Sequence, residues 1–173
     1  MKLKYDACSL IECQKLEIIP LFYELFGPLY ITQSAYAECI SKKNLEYQRI
    51  AEKIQDFVTV KMVNVMSARG VLLSNLGAGE KEVLAEAKYE KDQQEEVFCV
   101  TEDKKAKRQA IALNLEVLGI DYLLVEACIE EKITEEDFDQ KIIALDHFHK
   151  LNLLRVTELR RYVALFKRKQ GGT

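Results

Sequence analysis

The sequence lacks the features that mark several large classes of protein. No apolar run in its 173 residues is long enough to span a bilayer. Residues 1–6 reach an acid before an apolar stretch forms, so we expect no signal peptide and no membrane partner. The formal net charge is −3, which excludes binding of nucleic acid through bulk positive charge. Gly-rich phosphate loops, Ser-His-Asp patterns and zincin helices are absent as well.

The cysteines offer no zinc site. There are five of them, an odd number, and no two form a CxxC pair. Scattered cysteines without a signal peptide are typical of reduced thiols, so we expect a cytoplasmic protein.

The composition is that of a globular domain, with 49% hydrophobic and 31% charged residues. A chain of 173 residues can bury a real core, and no repeat or linker divides it. We therefore predict a single domain over residues 1–173, ending in a basic C-terminal helix at about 157–169.

Short β-type segments alternate with helical segments along the chain. This order predicts a layered α/β domain with a mainly parallel sheet. Ser34 and Asp121 are the expected caps of two of the helices, and Thr134 of a third. The predicted strands are 2–5, 29–32, 58–63 (placed at an edge), 97–101 and 117–120, and the predicted helices cover 9–16, 21–26, 34–40, 45–57, 79–90, 104–115, 122–130, 134–148 and 157–168.

One helix brings a carboxylate towards the core. In the segment that starts at Gly79, Glu80 shares a helical face with Leu84 and Ala87. Glu82 and Glu86 fall on a different face, which we expect to meet water. An inward carboxylate is costly unless something positive meets it.

Three other acids are expected at the same edge of the sheet. Asp6 and Asp103 follow predicted strands, and Glu38 lies in an early turn of the helix after the second strand. Because sites in parallel sheets gather beyond the carboxyl ends of the strands, these acids and Glu80 can converge. Such a cluster favours Mg²⁺ or Mn²⁺, which can activate a water against a phosphodiester. The alternative for each acid is a plain helix cap.

The motifs around these acids resemble those of PIN-domain proteins, closest to the small prokaryotic branch related to VapC-type toxins. The resemblance runs through almost the whole chain and is most specific at its first and third motifs. The matching segments are Asp6-Ala7-Cys8-Ser9-Leu10-Ile11 with Lys15-Leu16, Ile31-Thr32 through Glu38, Gly79-Glu80 with Glu82 through Ala87, Thr101-Glu102-Asp103 with Ala106-Lys107, and Gly119, Ala127 and Ile133.

The resemblance implies a PIN-like three-layer α/β/α sandwich and a metal-dependent endoribonuclease. It implies Asp6, Glu38, Glu80 and Asp103 as the catalytic acids, with Thr101 assisting by hydrogen bonding. Asp6, Glu80 and Asp103 are expected to hold Mg²⁺ or Mn²⁺, and Glu38 to act from further out. The implied substrate is RNA, and the function that of a toxin paired with an antitoxin or of a similar effector.

The sequence departs from the family pattern at Cys8, where a hydroxyl residue is usual, and at Glu102, where an aspartate is frequent. A thiol is a weaker hydrogen-bonding group than a hydroxyl. This departure leaves room for an alternative function, a PIN-like module that binds RNA or protein without cutting. A phospho-receiver is a further alternative, but the sequence places no activating lysine at a suitable strand end.

Basic residues supply the expected contacts to RNA. Four of them follow the last acid, and they either hold phosphates or form a solvated helix face: Lys104, Lys105, Lys107 and Arg108. The C-terminal helix carries an apolar stripe of Leu159, Val163 and Phe166. We expect that stripe to dock on the core, with RNA, an antitoxin or a second copy of the chain as the alternatives.

Overall fold

The computed structural model describes residues 1–41, 52, 55–61, 75–149 and 153–170. Most of the predicted helix 45–57 therefore lies outside the described residues. The chain forms two compact units, Met1–Leu118 and Gly119–Thr173. Each unit is described by itself below, and one domain over residues 1–173 stays a prediction.

The first unit is built on a five-stranded sheet in the order β3-β2-β1-β4-β5. Every pair of neighbouring strands is parallel. β3 lies at an edge, as predicted. The strands are β1 (Lys2–Tyr5), β2 (Leu29–Thr32), β3 (Val58–Lys61), β4 (Val97–Val100) and β5 (Glu116–Leu118).

Helices connect these strands. The described ones are α1 (Ala7–Lys15), α2 (Ile19–Phe26), α3 (Gln33–Ser41), α4 (Ala78–Asp92) and α5 (Lys104–Ala112). From β1 the chain adds β2 and β3 towards one edge of the sheet, and it then adds β4 and β5 on the other side of β1. With right-handed crossovers this reversal places helices on both faces of the sheet. The prediction of a PIN-like three-layer α/β/α sandwich is confirmed.

Local sequence explains where these helices start and stop. Pro20 occupies the first turn of α2, where its missing N–H costs nothing, and Gly27 ends that helix with φ +78°. Ser34 was predicted to cap α3, and this is wrong: the helix begins at Gln33, so Ser34 lies inside its first turn.

The core of the first unit joins α4 and α5 to β4. Leu84 and Ala87 of α4 are almost fully buried, as the helical pattern predicted. Their cluster is composed of small and branched apolar side chains: Leu76, Leu84, Ala85, Ala87, Val97, Cys99, Ala106, Ala110 and Leu115. This packing fixes α4, and with it the position of Glu80, over the sheet.

A buried ion cluster holds α4 on β1. Lys4 is 2% exposed, and its Nζ lies 3.0 Å from Glu90 Oε2 and 3.7 Å from Glu86 Oε1. The same Nζ lies 5.7 Å from the centre of the Tyr30 ring. The prediction that Glu86 meets water is wrong, because β1 is covered on both faces and its lysine needs buried counter-charges.

The second unit consists of α6 (Ile120–Ile129), α7 (Glu135–His149) and α8 (Leu153–Gln170). Thr134 caps α7 as predicted, with its Oγ1 accepting from Asp137 N at 3.0 Å. Asp121 was predicted to cap α6, and this is wrong. The capping position is Gly119, and Asp121 Oδ2 instead accepts from Arg155 Nε of α8 at 2.9 Å.

The basic helix α8 packs against α6 within this unit. Leu159 and Val163 of its predicted apolar stripe are buried, whereas Phe166 is 37% exposed. Within the ranges that the structure describes, no helix combines the length and apolarity needed to cross a membrane.

Candidate active site

Asp6 and Thr101 lie side by side where the strand order reverses. β1 and β4 are paired in parallel with Tyr5 opposite Val100, and each of the two polar residues comes directly after its strand. Asp6 N donates to Val100 O at 3.2 Å across the pair. Ligand sites in open α/β sheets form at this kind of switch point.

The Asp6 carboxylate is buried and begins α1. Its Oδ1 accepts from Ser9 N at 2.7 Å, so Asp6 is also the cap of that helix. Burial raises the pKa of Asp6, hydrogen bonds from Thr101 and Ser9 oppose the rise, and the charge of Glu102 adds to it. An acid in this position is costly to ionise until a cation compensates its charge.

Thr101 links Asp6 to Asp103. Its hydroxyl forms a hydrogen bond with the Asp6 carboxylate, and its Oγ1 accepts from Asp103 N at 3.2 Å. Asp103 is exposed and caps α5, with Oδ1 accepting from Lys105 N at 2.7 Å and Ala106 N at 2.8 Å. The Thr101 hydroxyl thus contacts the carboxylate of Asp6 and the backbone N–H of Asp103, and its assisting role stays a prediction.

Glu80 enters from the first turn of α4 and is half-buried. Its Oε2 accepts from Gly77 N at 2.8 Å. Burial is the largest cause that raises the pKa of Glu80, and the charges of Asp103, Asp6 and Glu38 raise it further. The fold therefore brings the other three predicted acids, each from a different segment, within electrostatic range of Glu80.

Glu38 reaches this cluster from α3. Its side chain is exposed at the rim, and its Oε1 accepts from Gly79 N at 3.1 Å. A Cβ on Gly79 would lie 2.9 Å from Ala35 Cα and 2.9 Å from Glu38 Oε1. Glycine at position 79 thus permits the close approach of α3 and α4 that brings Glu38 beside Glu80.

The donor set suits a divalent metal ion. It is composed entirely of carboxylates, the hard oxygen ligands that Mg²⁺ and Mn²⁺ prefer. In the described part of the chain, no three His, Cys, Asp or Glu side chains lie close enough to chelate one metal ion. Glu80 and Glu38 instead accept from the backbone N–H groups of Gly77 and Gly79 at the start of α4.

The four basic residues predicted to hold RNA lie on α5, directly after Asp103. Lys107 Nζ is 2.7 Å from Glu102 Oε2, so this lysine has an acidic partner beside the site. Lys104, Lys105 and Arg108 are exposed to solvent. Their contact with RNA stays a prediction.

Sequence reasoning missed the role of Glu82. The expectation that it faces water is wrong: Glu82 Oε2 accepts from Ser34 N at 3.0 Å, and Oε1 accepts from Ser34 Oγ at 2.5 Å. A signal was present, since Glu82, Glu86 and Glu90 recur every four residues and form one acidic stripe on α4. Because the helix packs on a buried sheet, an acidic stripe on it predicts hydrogen-bonding or basic partners on the elements that it contacts.

Fold and site together define an α/β protein with an acidic site at the carboxyl end of a parallel sheet. The chain belongs to the PIN-domain family: the family model described as "PIN domain" matches residues 5–160, which include all four acids. No protein in the curated set matches the chain. PIN domains are generally nucleases, which are hydrolases, and they typically use divalent metals.

Proposed function

We propose that this protein is an endoribonuclease that requires Mg²⁺ or Mn²⁺ and hydrolyses RNA phosphodiester bonds. The observation that carries the proposal is geometric: Asp6 directly follows β1 beside Thr101, Asp103 N bonds Thr101 Oγ1, and Glu38 binds Gly79 N next to Glu80. The charges of the other three acids also raise the pKa of Glu80. Clustered like charges destabilise a fold, and a bound cation relieves them. Asp6, Glu80 and Asp103 would hold the ion.

The side chains at this edge of the sheet would have separate roles. When bound, the ion would supply Lewis-acid stabilisation and lower the pKa of a water. Asp6 and Asp103 are held in place because each also caps a helix. Thr101 would assist through its hydroxyl, which bonds the Asp6 carboxylate and accepts from Asp103 N. Glu38 and Glu80 are supplied by α3 and α4.

The exposed side of the cluster is where a polyanion has access. Asp103 and Glu38 are exposed at the rim, while Asp6 is buried beneath them. Lys104, Lys105 and Arg108 project from the helix that Asp103 begins and would bind phosphates of the strand without reading its sequence. Lys107 would join them when RNA draws it from Glu102.

Charge-only variants give the sharpest test. Asp6→Asn and Asp103→Asn keep an oxygen that can cap α1 and α5 while removing the negative charge. Purified variants and wild type are incubated with single-stranded RNA, with Mn²⁺ or with EDTA. We expect wild type to cut only with the metal, and each variant to lose more than ~100-fold of the rate.

A matched control separates lost chemistry from lost structure. Asp92→Asn changes an exposed carboxylate at the far end of α4, where it pairs only with Lys88 among described residues, and should cut like wild type. Full activity in Asp6→Asn or Asp103→Asn contradicts the site. RNA binding without any metal-dependent fragments would instead favour the non-cutting module.

The resemblance to VapC-related proteins leads us to propose further that the protein acts as a toxin or similar effector in the cytoplasm. Induced expression in a bacterial host should arrest growth, and Asp103→Asn should not. An antitoxin would appear as a protein whose co-expression restores growth. Equal growth with wild type and Asp103→Asn contradicts the toxin role but leaves the ribonuclease proposal to the cleavage assay.

A further inference from the structure

α3 and α4 are fastened to each other at both of their N-terminal ends. Glu82 of α4 binds the first turn of α3 through Ser34 N and Oγ, at 3.0 and 2.5 Å. Glu38 of α3 binds the first turn of α4 through Gly79 N, at 3.1 Å. Each helix thus supplies a carboxylate to a first-turn N–H group of the other helix.

The two contacts have the same form. Glu82 and Glu38 each lie in the second turn of their own helix and reach the first turn of the other, at Ser34 and Gly79. The Gly79 position also lies against Ala35, where an added Cβ would be only 3.0 Å from Ala35 Cβ. Carboxylates at helix N-termini are stabilised by the orphan N–H groups and the helix dipole.

The contact between α3 and α4 sets the distance between the Glu38 and Glu80 carboxylates, which the sequence alone does not determine. Glu38 and Glu80 are 42 positions apart in the chain, and the contact between α3 and α4 decides how their carboxylates meet. Glu82 is two residues from Glu80 on the same helix, but it points to α3 rather than to the cluster.

We infer that Glu82 is a positioning residue, which holds the first turn of α3 so that Glu38 stays beside Glu80 in the metal-binding arrangement. The inference rests on the proposed function for its metal, but its structural part does not depend on RNA cleavage. It assigns to a residue outside the acid cluster a measurable share of the affinity for the cation.

Amide exchange in the metal-free protein tests the structural part. Glu82→Ala removes the acceptor of Ser34 N, so the Ser34 amide should exchange faster in any case. The positioning role requires more: the Gly79 amide, which Glu82 does not touch, should exchange at least ~10-fold faster, because its bond to Glu38 loosens when α3 shifts. Glu82→Gln keeps an acceptor oxygen for Ser34 and should leave Gly79 protected.

Binding of Mn²⁺ alone, followed by titration calorimetry, tests the consequence. We expect Glu82→Ala to weaken binding about 10-fold, the lower end of the effect of losing a supporting partner, and Glu82→Gln to stay near wild type. In a Glu38→Gln background the change at Glu82 should add little, because both act through one group. Asp92→Asn on the same helix is the control and should change neither exchange nor affinity.

The outcomes separate the two proposals. Faster exchange of Ser34 alone, with Mn²⁺ affinity unchanged in Glu82→Ala, overturns the positioning role and leaves the proposed ribonuclease intact. A wild-type protein that neither binds Mn²⁺ nor cuts RNA overturns the proposed function. In that case the Gly79 amide still decides whether Glu82 positions Glu38, and unchanged protection would reject it.

Discussion

Gly77 and Gly79 look alike in the sequence, on either side of Ala78, but the structure predicts opposite tolerance for a methyl group. A Cβ on Gly79 would meet Ala35 Cα and Glu38 Oε1 at 2.9 Å each, and both are held by α3. Among the described residues, a Cβ on Gly77 would meet only Glu80 Oε2, at 3.5 Å, which is an ordinary contact. Neither glycine has a positive φ, so crowding alone distinguishes them.

The cost of Gly79→Ala follows from that crowding. Carbon atoms rest about 3.5–4.0 Å apart, so α3 and α4 must separate by roughly 0.5 Å or more to admit the methyl group. Overpacking of this kind costs ~1–3 kcal/mol. Replacing glycine by alanine also restricts the unfolded chain, which stabilises the folded protein by ~0.4–1 kcal/mol. The net loss in the free energy of unfolding should be about 1–2 kcal/mol.

Thermal unfolding followed by circular dichroism gives the measurement. In a chain of this size each kcal/mol lowers Tm by ~2–4 °C, so Gly79→Ala should melt roughly 2–8 °C below wild type. Gly77→Ala is the matched control. Alanine is a poorer helix cap than glycine, but it also restricts the unfolded chain, so the two effects oppose each other and Tm should stay within about 1 °C of wild type. Separation of the helices should also weaken Mn²⁺ binding in Gly79→Ala and not in Gly77→Ala.

Two results would refute this reasoning. A Gly79→Ala protein that melts at or above the wild-type temperature would show that α3 and α4 are not in close contact there. An equal loss in both alanine variants would show that the glycines serve backbone conformation rather than proximity.

Three further perturbations have defined outcomes. Lys4→Met leaves the buried Glu86 without its cation and leaves Glu90 with only Lys2, at 3.6 Å, among the described residues. The change should cost ~3–5 kcal/mol in urea unfolding, whereas replacing Lys4, Glu86 and Glu90 by apolar residues should recover most of it. The pKa of Glu80 is raised in the folded protein, so the stability that Glu80 contributes is present below its unfolded pKa and is lost as the pH rises through its folded pKa. Metal-free Glu80→Gln should therefore melt at a higher temperature than wild type at pH 7, and at the same temperature near pH 3. Thr134→Ala removes the cap of α7 and should cost about 1 kcal/mol in thermal unfolding.

Each of these has an outcome that contradicts it. An undiminished urea midpoint in Lys4→Met would mean that the ion cluster is accessible to water. A Glu80→Gln protein that melts lower than wild type at pH 7 would mean that the carboxylate is stabilised in the metal-free fold. An unchanged melting temperature in Thr134→Ala would show that the start of α7 is held by contacts other than its cap.

Much of the site could be predicted because its residues are tied to local signals. Asp6 and Asp103 follow short apolar strands, and a parallel sheet brings the ends of such strands to one edge. Glu80 shares a helical face with Leu84, so its inward direction was readable from spacing. Local rules were less reliable for caps: Ser34 and Asp121 have the right chemistry, but each helix starts one or more residues earlier.

The sequence by itself determined the strand and helix order and the parallel sheet, because periodicity and strand ends are local properties of the chain. It also predicted the set of four acids from the same local signals. Only the tertiary structure decided which groups the acidic stripe of Glu82, Glu86 and Glu90 contacts. Glu82 and Glu86 were expected to face water. Instead the half-buried Glu82 accepts hydrogen bonds from Ser34, and the buried Glu86 and Glu90 pair with Lys4, because α4 packs on β1 and α3. Which face of a helix meets another element depends on contacts between residues far apart in the chain, and no local pattern contains them.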